Sequence, residues 1–267
     1  MLSKQQIEEE ANRLHSAEKN RLQIEATTVR HPEMVIKDSY AIQEEWMRLK
    51  QKEGQKVIGY KIGLTSKVMQ VAMAIDEPDY GTLLDSMYFD HGCEIKVSEF
   101  SDPRIEVELA FVLKKPLFGK NLTVTDVINA TDYVVPALEL IAARTYRVHP
   151  DTGYTRTIRD TIADNAANAA IILGNKKIKP TAIDLRWIGA LLYKNNVIEE
   201  SGVAAAVLDH PARGVAWLAQ KYANHNIALE PGQIILAGSF TRPVKVNAGD
   251  TIVADYNELG TIECKFI

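Results

Sequence analysis

The sequence predicts an α+β protein in which a helical N-terminal part precedes a β-rich body. Apolar residues recur at helical spacing in two stretches before residue 55. From residue 56 onward the chain consists of short segments rich in valine, isoleucine, leucine and tyrosine, separated by turn residues. Strands and helices do not alternate regularly, so a Rossmann fold or a TIM barrel is not expected.

Two helices are predicted in the N-terminal part. The first begins at Ser3, which forms a capping box with Gln6. The second spans about residues 38–53 and ends at Gly54, a residue that favours the end of a helix. Each helix has one apolar face, made in the first by Ile7, Ala11, Leu14 and Ala17 and in the second by Ile42, Trp46 and Leu49.

Short strands are predicted throughout the β-rich body from their apolar and β-branched composition. Examples are residues 57–64, 104–113, 185–193, 233–238 and 261–267. A further helix begins at Pro211, because proline is favoured at the first helical position. No repeat or linker-like tract divides the chain. We therefore expect a helical part, residues 1–55, and a catalytic β-rich part, residues 56–267, within one continuous structural unit.

Composition excludes several classes of partner. The 267 residues carry a formal net charge of −4, which argues against nucleic acid or an anionic membrane as the main partner. Cys93 and Cys264 form no CxxC pattern, which favours a reducing compartment and buried thiols without a special role. The first residues are charged, and no apolar stretch approaches the ~20 residues needed to span a bilayer. We expect a cytoplasmic protein that binds neither nucleic acid nor membrane.

Three carboxylates stand where the pattern favours apolar side chains. Glu106 and Glu108 lie two residues apart on one predicted strand, so they share a face that continues with apolar residues. Glu139 is the only charge in a long apolar run. Adjacent, partly buried carboxylates are costly unless a cation or hydrogen-bond donors compensate them. The three together would suit Mg²⁺ or Mn²⁺, but pairing with arginine or lysine on a half-exposed strand explains the pattern equally well.

Other common sites lack their sequence signatures. Three of the six histidines, His31, His149 and His210, directly precede proline, and no HExxH or Cys/His spacing typical of zinc is present. The chain also has no GxSxG elbow, no GxGxxG fingerprint and no P-loop. An oxygen-ligated metal site is therefore the main chemical hypothesis.

Several segments between residue 34 and the C-terminus together carry a family resemblance. They are YKIGLTSK, EPDYGTLLD, RIEVELAFVL, ATDYVVPALELI, DNAANAAIILG, GVAAAVLDHPARGVAWLA and GQIILAGSFTRPV. These segments resemble the hydratase and decarboxylase branch of the fumarylacetoacetate hydrolase superfamily. The resemblance implies the superfamily's mixed β-sandwich roll and, because members generally associate, a homo-oligomer.

The resemblance also implies roles for individual residues. The metal-binding glutamates of the family correspond to Glu106, Glu108 and Glu139, which implies bound Mg²⁺ or Mn²⁺. The family lysine corresponds to Lys61, and the hydratase aspartate corresponds to Asp79. Without the resemblance, Lys61 would be interpreted as a solvated lysine at a strand end and Asp79 as a turn residue after proline.

The implied activity is addition of water to a seven-carbon 2-oxo dicarboxylate in the breakdown of homoprotocatechuate (4-hydroxyphenylacetate). A 2-oxo acid binds the metal through its carboxylate and keto oxygens, and the metal stabilises the negative charge formed when a proton leaves the third carbon. We expect Lys61 to support that charge or to move a proton, with its pKa lowered by burial and the metal. Asp79 would activate water for addition at the fourth carbon.

Two segments separate this activity from related ones. The related decarboxylases lack an acid at the position of Asp79, so its presence favours water addition. The segment containing Ser239, Thr241 and Arg242 resembles the hydratases of seven-carbon dicarboxylates. Arg242 is the candidate for the distal carboxylate, because arginine binds carboxylates through two hydrogen bonds, and the two hydroxyls are further candidate donors. A surface arginine before proline is the alternative.

Other functions stay open at this point. They are a 2-oxo-enedioate decarboxylase, a 2-hydroxypentadienoate hydratase, an acylpyruvate-type hydrolase and a non-catalytic partner subunit. His31 and Glu33 resemble the His/Glu dyad of the hydrolytic superfamily members, although both residues also fit a turn that enters a helix. Residues 145–159, which we call the basic loop, are rich in arginine and tyrosine and receive no role from the sequence.

Overall fold

The computed structural model describes all 267 residues. Its α-helices are α1 (Lys4–Asn20), α2 (Thr27–Arg30), α3 (Ile36–Lys52), α4 (Lys67–Ala72), α5 (Val124–Ala130), α6 (Ile158–Ala163) and α7 (Pro211–Ala223). Its β-strands are β1 (Val57–Gly63), β2 (Asp79–Leu84), β3 (Tyr88–Asp90), β4 (Glu94–Ile95), β5 (Arg104–Leu113), β6 (Thr131–Ile141), β7 (Asn168–Leu173), β8 (Gly189–Lys194), β9 (Val197–Val203), β10 (Ile234–Leu236), β11 (Val244–Lys245), β12 (Thr251–Asp255) and β13 (Thr261–Phe266).

The strands form two mixed sheets. The eight-stranded sheet has the order β2-β1-β10-β5-β6-β7-β3, and β11 also pairs with β5. The five-stranded sheet has the order β4-β13-β12-β8-β9. Within the sheets β1 pairs with β10, β3 with β7 and β4 with β13 in parallel, whereas the other pairs are antiparallel. The predicted α+β class with a mixed β-sandwich is therefore confirmed.

The main apolar core lies between the two sheets. One face of β5 supplies Leu109 and Phe111, and the smaller sheet supplies Ile252 and Ile262 to the same buried cluster. Alternate residues of a strand point to opposite faces, so burial of this face directs Glu106 and Glu108 to the other side of the larger sheet. The core therefore fixes where the acidic side chains of β5 lie.

The N-terminal helices form a second, smaller core. Helices α1 and α3 pack together through side chains that include Leu14, Ile42 and Trp46, against Leu84 at the end of β2. The predicted capping box at Ser3 is present. Helix α3 begins two residues earlier than predicted, at Ile36, because the side chain of its third residue, Asp38, accepts the N–H of Val35.

Three of the predicted strand segments agree with the structure to within one residue, whereas the segment 233–238 is a strand only over Ile234–Leu236. Residues 104–113 form β5 over their whole length, and α7 begins at Pro211 as expected. In the segment 185–193, by contrast, the first residues form a 3₁₀ turn, Leu185–Trp187, before β8 begins. Asp184 caps this turn by accepting the N–H of Arg186, a local interaction that competes with strand pairing. No helix is both long enough and apolar enough to cross a membrane.

Candidate active site

Three glutamates on neighbouring strands lie close together. Strands β5 and β6 are antiparallel, and their register places Glu106 directly opposite Glu139. Glu108 lies two residues further along β5 and therefore on the same face. Carboxylate oxygens of all three lie within 4.8 Å of one another. The structure thus brings together the three acidic residues that the sequence singled out, and we call them the acidic centre.

The acidic centre is largely shielded from water. Glu108 and Glu139 are each 1% exposed, and Glu106 is half-buried. Burial, followed by repulsion from Glu139, raises the pKa of Glu106 to about 8 and raises that of Glu108 well above its ordinary value. Bound protons or a bound cation relieve the repulsion between carboxylates held in this way. An all-oxygen donor set fits a hard divalent cation such as Mg²⁺ or Mn²⁺.

Two residues that sequence reasoning missed hold the carboxylates in place. The Asn168 side-chain amide donates to Glu139 Oε1 at 2.8 Å, and the Gly238 N–H donates to Glu108 Oε2 at 3.0 Å. Gly238 has a φ of +121°, and a Cβ there would lie 2.5 Å from Cγ2 of Thr65, so the position requires glycine. Both residues belong to segments that carried the family resemblance, which was the only signal available for them.

Lys61 and Asp79 lie beside the acidic centre. Strands β1 and β2 are antiparallel, with Gly63 opposite Asp79. Lys61 Nζ lies 3.5 Å from Glu139 Oε1. Asp79 is 2% exposed, and its Oδ1 has no hydrogen-bond partner. A Cβ at Gly63 would lie 2.3 Å from Asp79 Oδ1 and 3.1 Å from Lys61 Nζ, so the missing side chain gives both groups their room.

The charges of Lys61 and Asp79 depend on their surroundings. Burial acts to lower the pKa of Lys61, but the attraction of four carboxylates, that of Glu139 first, outweighs burial and raises it. The expectation that burial and a bound metal together lower this pKa concerns the metal-bound protein and stays a prediction. Burial raises the pKa of Asp79, and Glu139 adds to the effect while Lys61 opposes it. Lys61 is thus a cation, and the pKa of Asp79 lies above its ordinary value.

The acidic centre, Lys61 and Asp79 open into one cavity of about 610 Å³. This volume is typical of sites for small molecules. The walls come from β1, β5, β6 and β9, from the basic loop, and from residues 64–73 and 239–243. Apolar side chains on the walls include Leu64, Val68, Met69, Met73, Ile141 and Phe240. The cavity therefore combines one strongly acidic end with apolar walls.

The three predicted substrate-binding residues also line this cavity. Ser239 Oγ accepts from the N–H of Thr241 at 3.2 Å and donates to its carbonyl oxygen at 2.8 Å. Thr241 Oγ1 accepts from the N–H of Val107 at 3.1 Å. Arg242 is 84% exposed and pairs with Glu200 at 2.8 Å. The two hydroxyls shape the turn, and Arg242 stands at the cavity mouth.

Two other features of the sequence lie in different places. His31 and Glu33 do not line the cavity. His31 Nε2 lies 3.2 Å from Glu10 Oε1 on α1, and Glu33 is exposed. The basic loop, which received no role from the sequence, contributes Arg147 and Arg156 to the cavity wall.

Comparison with known proteins finds matches along the whole chain. Residues 56–267 match the family described as Fumarylacetoacetate (FAA) hydrolase C-terminal. A 2-oxo-hept-4-ene-1,7-dioate hydratase from Escherichia coli is 59% identical over 257 residues, which make up 96% of each protein. A 2-hydroxyhexa-2,4-dienoate hydratase from Comamonas testosteroni is 36% identical, and the alignment covers 100% of this chain and 99% of the relative.

A solved structure is similar over the same extent. It is the 4-oxalocrotonate decarboxylase from Pseudomonas putida G7, complexed with magnesium and adipate. The two structures superpose with a TM-score of 0.95 at 34% sequence identity, over 100% of this chain and 99% of the decarboxylase chain. The N-terminal helices and both sheets therefore have counterparts in that structure.

Proposed function

This chain belongs to the fumarylacetoacetate hydrolase family, and from that premise we propose that it is a metal-dependent hydratase, a carbon–oxygen lyase. It adds water to 2-oxohept-4-ene-1,7-dioate and forms 4-hydroxy-2-oxoheptanedioate, a step in homoprotocatechuate breakdown. The 59% identity to the hydratase from Escherichia coli supports this substrate. The observation that carries the proposal is the buried Asp79, whose Oδ1 has no partner and whose carboxyl group opens into the same cavity as the acidic centre.

We propose that the acidic centre holds Mg²⁺ or Mn²⁺. The buried carboxylates, the raised pKa of Glu106 and the all-oxygen donor set support this assignment. The magnesium in the decarboxylase structure supports it further. When bound, such a cation supplies Lewis-acid stabilisation of the negative charge that develops on the 2-oxo group.

Lys61 and Asp79 are our proposed catalytic groups. The Lys61 ammonium group, held beside Glu139, stabilises the negative charge on the 2-oxo group after a proton leaves the third carbon. Asp79 takes the proton that leaves the third carbon and returns it to the fifth carbon, which moves the double bond between the third and fourth carbons, into conjugation with the 2-oxo group. It then accepts a proton from the water that adds to the fourth carbon and delivers it to the third carbon. Asp79 lines the same cavity as the acidic centre, which allows these contacts. A base works best when its pKa lies near the operating pH, so the raised pKa of Asp79 favours this role.

We propose that the segment with Ser239, Thr241 and Arg242 contacts the end of the substrate away from the acidic centre. Arg242 stands at the cavity mouth, where its charge attracts a dianionic substrate. The apolar side chains between the two ends suit the carbon chain of a 2-oxo dicarboxylate.

The test of this function is incubation with 2-oxohept-4-ene-1,7-dioate, first with Mg²⁺ and then with a chelator. We expect a product heavier than the substrate by one water, formed only when Mg²⁺ is present. Loss of carbon dioxide would instead identify a decarboxylase and would remove the assigned role of Asp79. No reaction of this substrate would exclude the proposal, and 2-hydroxypentadienoate and acylpyruvates would then be tested.

The assembly and location of the protein are further proposals. We infer a homo-oligomer because members of the family generally associate. Light scattering coupled to gel filtration measures the mass in solution and tests this inference. The cytoplasmic location that the cysteine pattern favours stays a prediction. Both cysteines are free, Cys264 buried and Cys93 half-buried.

A further inference from the structure

The basic loop carries a buried cation into the cavity. Arg156 is 8% exposed and lines the cavity wall. Its Nη1 makes only two long hydrogen bonds, to Asp164 Oδ2 at 3.3 Å and to Thr145 Oγ1 at 3.4 Å. Its Nε and Nη2 groups donate to no protein atom, and neither is completely buried. Arg156 therefore presents free N–H donors to whatever occupies the cavity.

The protein does not neutralise this cation fully. Asp164 is engaged mainly by Arg144, whose Nε donates to Oδ1 at 2.5 Å and whose backbone N–H donates to Oδ2 at 2.9 Å. Burial lowers the pKa of Arg156 to about 10, and repulsion from Arg147 and Arg144 opposes the attraction of Asp164. The guanidinium group is nevertheless charged at neutral pH. A buried charge without full compensation is costly, and an anionic ligand would supply the missing partner.

Arg147 and Arg156 differ in how their donors are used. Arg147 Nε donates to Asp102 Oδ2 at 2.7 Å, and its unpartnered Nη2 is buried. Arg156 pairs with Asp164 at 3.3 Å and with none of the three glutamates of the acidic centre. A ligand whose 2-oxo acid end is at the acidic centre can therefore place its other end against the free donors of Arg156.

Arg242 is less well suited than Arg156 to select a carboxylate. It is 84% exposed and already pairs with Glu200. An exposed ion pair contributes little because water screens it and because a long side chain loses freedom when it is held. A buried guanidinium group with free donors gives stronger, charge-assisted hydrogen bonds to a carboxylate.

We propose that Arg156 binds the distal carboxylate of the substrate and is the main residue that selects 2-oxo dicarboxylates over monocarboxylates. This inference rests on the proposed function for the identity of the substrate. It extends that function by assigning substrate selection to the basic loop. Arg242 then acts at the cavity mouth and makes the smaller contribution.

The test uses adipate and hexanoate, which differ by one carboxylate and have no 2-oxo group to react. Calorimetry with the Mg²⁺-loaded full chain measures both affinities in the wild type and in Arg156→Met. We expect the variant to bind adipate about ten- to hundredfold more weakly, the range for a lost charged hydrogen bond, with little change for hexanoate. Arg242→Met should weaken adipate by less than Arg156→Met does.

Two further variants control for a nonspecific effect of losing an arginine and for misfolding of Arg156→Met. Arg159→Met removes a cation three residues away that donates to the carbonyl oxygens of Pro32 and Met34 and does not line the cavity. It should leave both affinities unchanged. Arg156→Lys keeps the charge and loses the planar fork, so it should bind adipate with intermediate affinity and serves if Arg156→Met does not fold.

The outcomes separate this inference from the proposed function. Unchanged adipate binding by Arg156→Met, or an equal loss for adipate and hexanoate, would overturn the role of Arg156 even if the wild type hydrates its substrate. A selective loss of adipate supports the role. If the wild type then fails to hydrate 2-oxohept-4-ene-1,7-dioate, the proposed function fails while the dicarboxylate site remains.

Discussion

Removal of the divalent cation should make the stability of the protein fall as the pH rises from 5 to 7. The cause lies in the acidic centre, where burial and repulsion from Glu139 raise the pKa of Glu106 from its ordinary 4.5 to about 8. In the metal-free protein the folded state therefore retains a proton that the unfolded state releases above pH 4.5. The stabilisation linked to this proton is fully present below pH 4.5 and is lost as the pH rises through about 8.

The size of the effect follows from this pKa difference. Each pH unit between the two pKa values changes the free energy of unfolding by at most about 1.4 kcal/mol for one group. Two units would give nearly 3 kcal/mol, and about 2 kcal/mol is expected because Glu106 is only half-buried and is partly screened by water. For a chain of this size that corresponds to a fall in Tm of about 4–8 °C.

Scanning calorimetry at pH 5 and pH 7, with Mg²⁺ and with a chelator, measures this difference directly. A bound divalent cation keeps the carboxylates ionised, so the stabilisation by Mg²⁺ should grow with pH. Glu106→Gln removes the titrating group and is the matched control, in which the pH dependence of the metal-free protein should become smaller. A stabilisation by Mg²⁺ that is the same at both pH values, or a control indistinguishable from the wild type, would refute this account.

Three further predictions concern turnover and recognition. Asp79→Asn should lower kcat about 10²–10⁴-fold by removing the proton acceptor, with Mg²⁺ binding retained in calorimetry; full turnover would exclude Asp79 as the base. Lys61→Met should lower kcat yet raise the affinity for Mg²⁺, because the ammonium group 3.5 Å from Glu139 competes with the metal; a weaker affinity for Mg²⁺ would contradict this. Arg242→Met should raise the KM for the dicarboxylate by up to about fivefold, as expected for an exposed charge. The KM for a monocarboxylic analogue should stay the same, and equal effects on both substrates would remove the argument for Arg242.

The acidic centre was predictable from the sequence only in part. Strand periodicity places Glu106 and Glu108 on one face, because side chains alternate along a strand. Their meeting with Glu139 depends on the register of β5 and β6, in which Glu106 stands opposite Glu139. Register is set by burial of the other face of the sheet and not by the glutamates themselves. From the residues alone, a metal site and ordinary ion pairs were therefore equally good interpretations.

Asn168, Gly238 and Arg156 could not be assigned a role from the sequence, because the site is assembled from distant segments. Asn168 reaches Glu139 across β6 and β7, and Gly238 reaches Glu108 from the end of β10. Neither belongs to a local pattern that indicates such a contact. Arg156 is distant in sequence from the acidic glutamates, and a basic segment of this kind fits a solvated loop as well as a ligand-binding loop. Only the burial of Arg156 in the cavity wall distinguishes a ligand-binding loop from a solvated one.

The helical N-terminal part contributes to the cavity through the basic loop. The backbone N–H and the hydroxyl of Thr28 on α2 donate to Asp160 at 2.8 and 2.7 Å, just beyond Arg156. Ile24 and Thr145 form a β-bridge at the other end of the loop. Ordering a loop costs conformational entropy, and these contacts offset that cost on both sides of the arginine. The part of the chain before residue 56, which lies outside the matched family segment, thus holds in place the basic loop that lines the cavity.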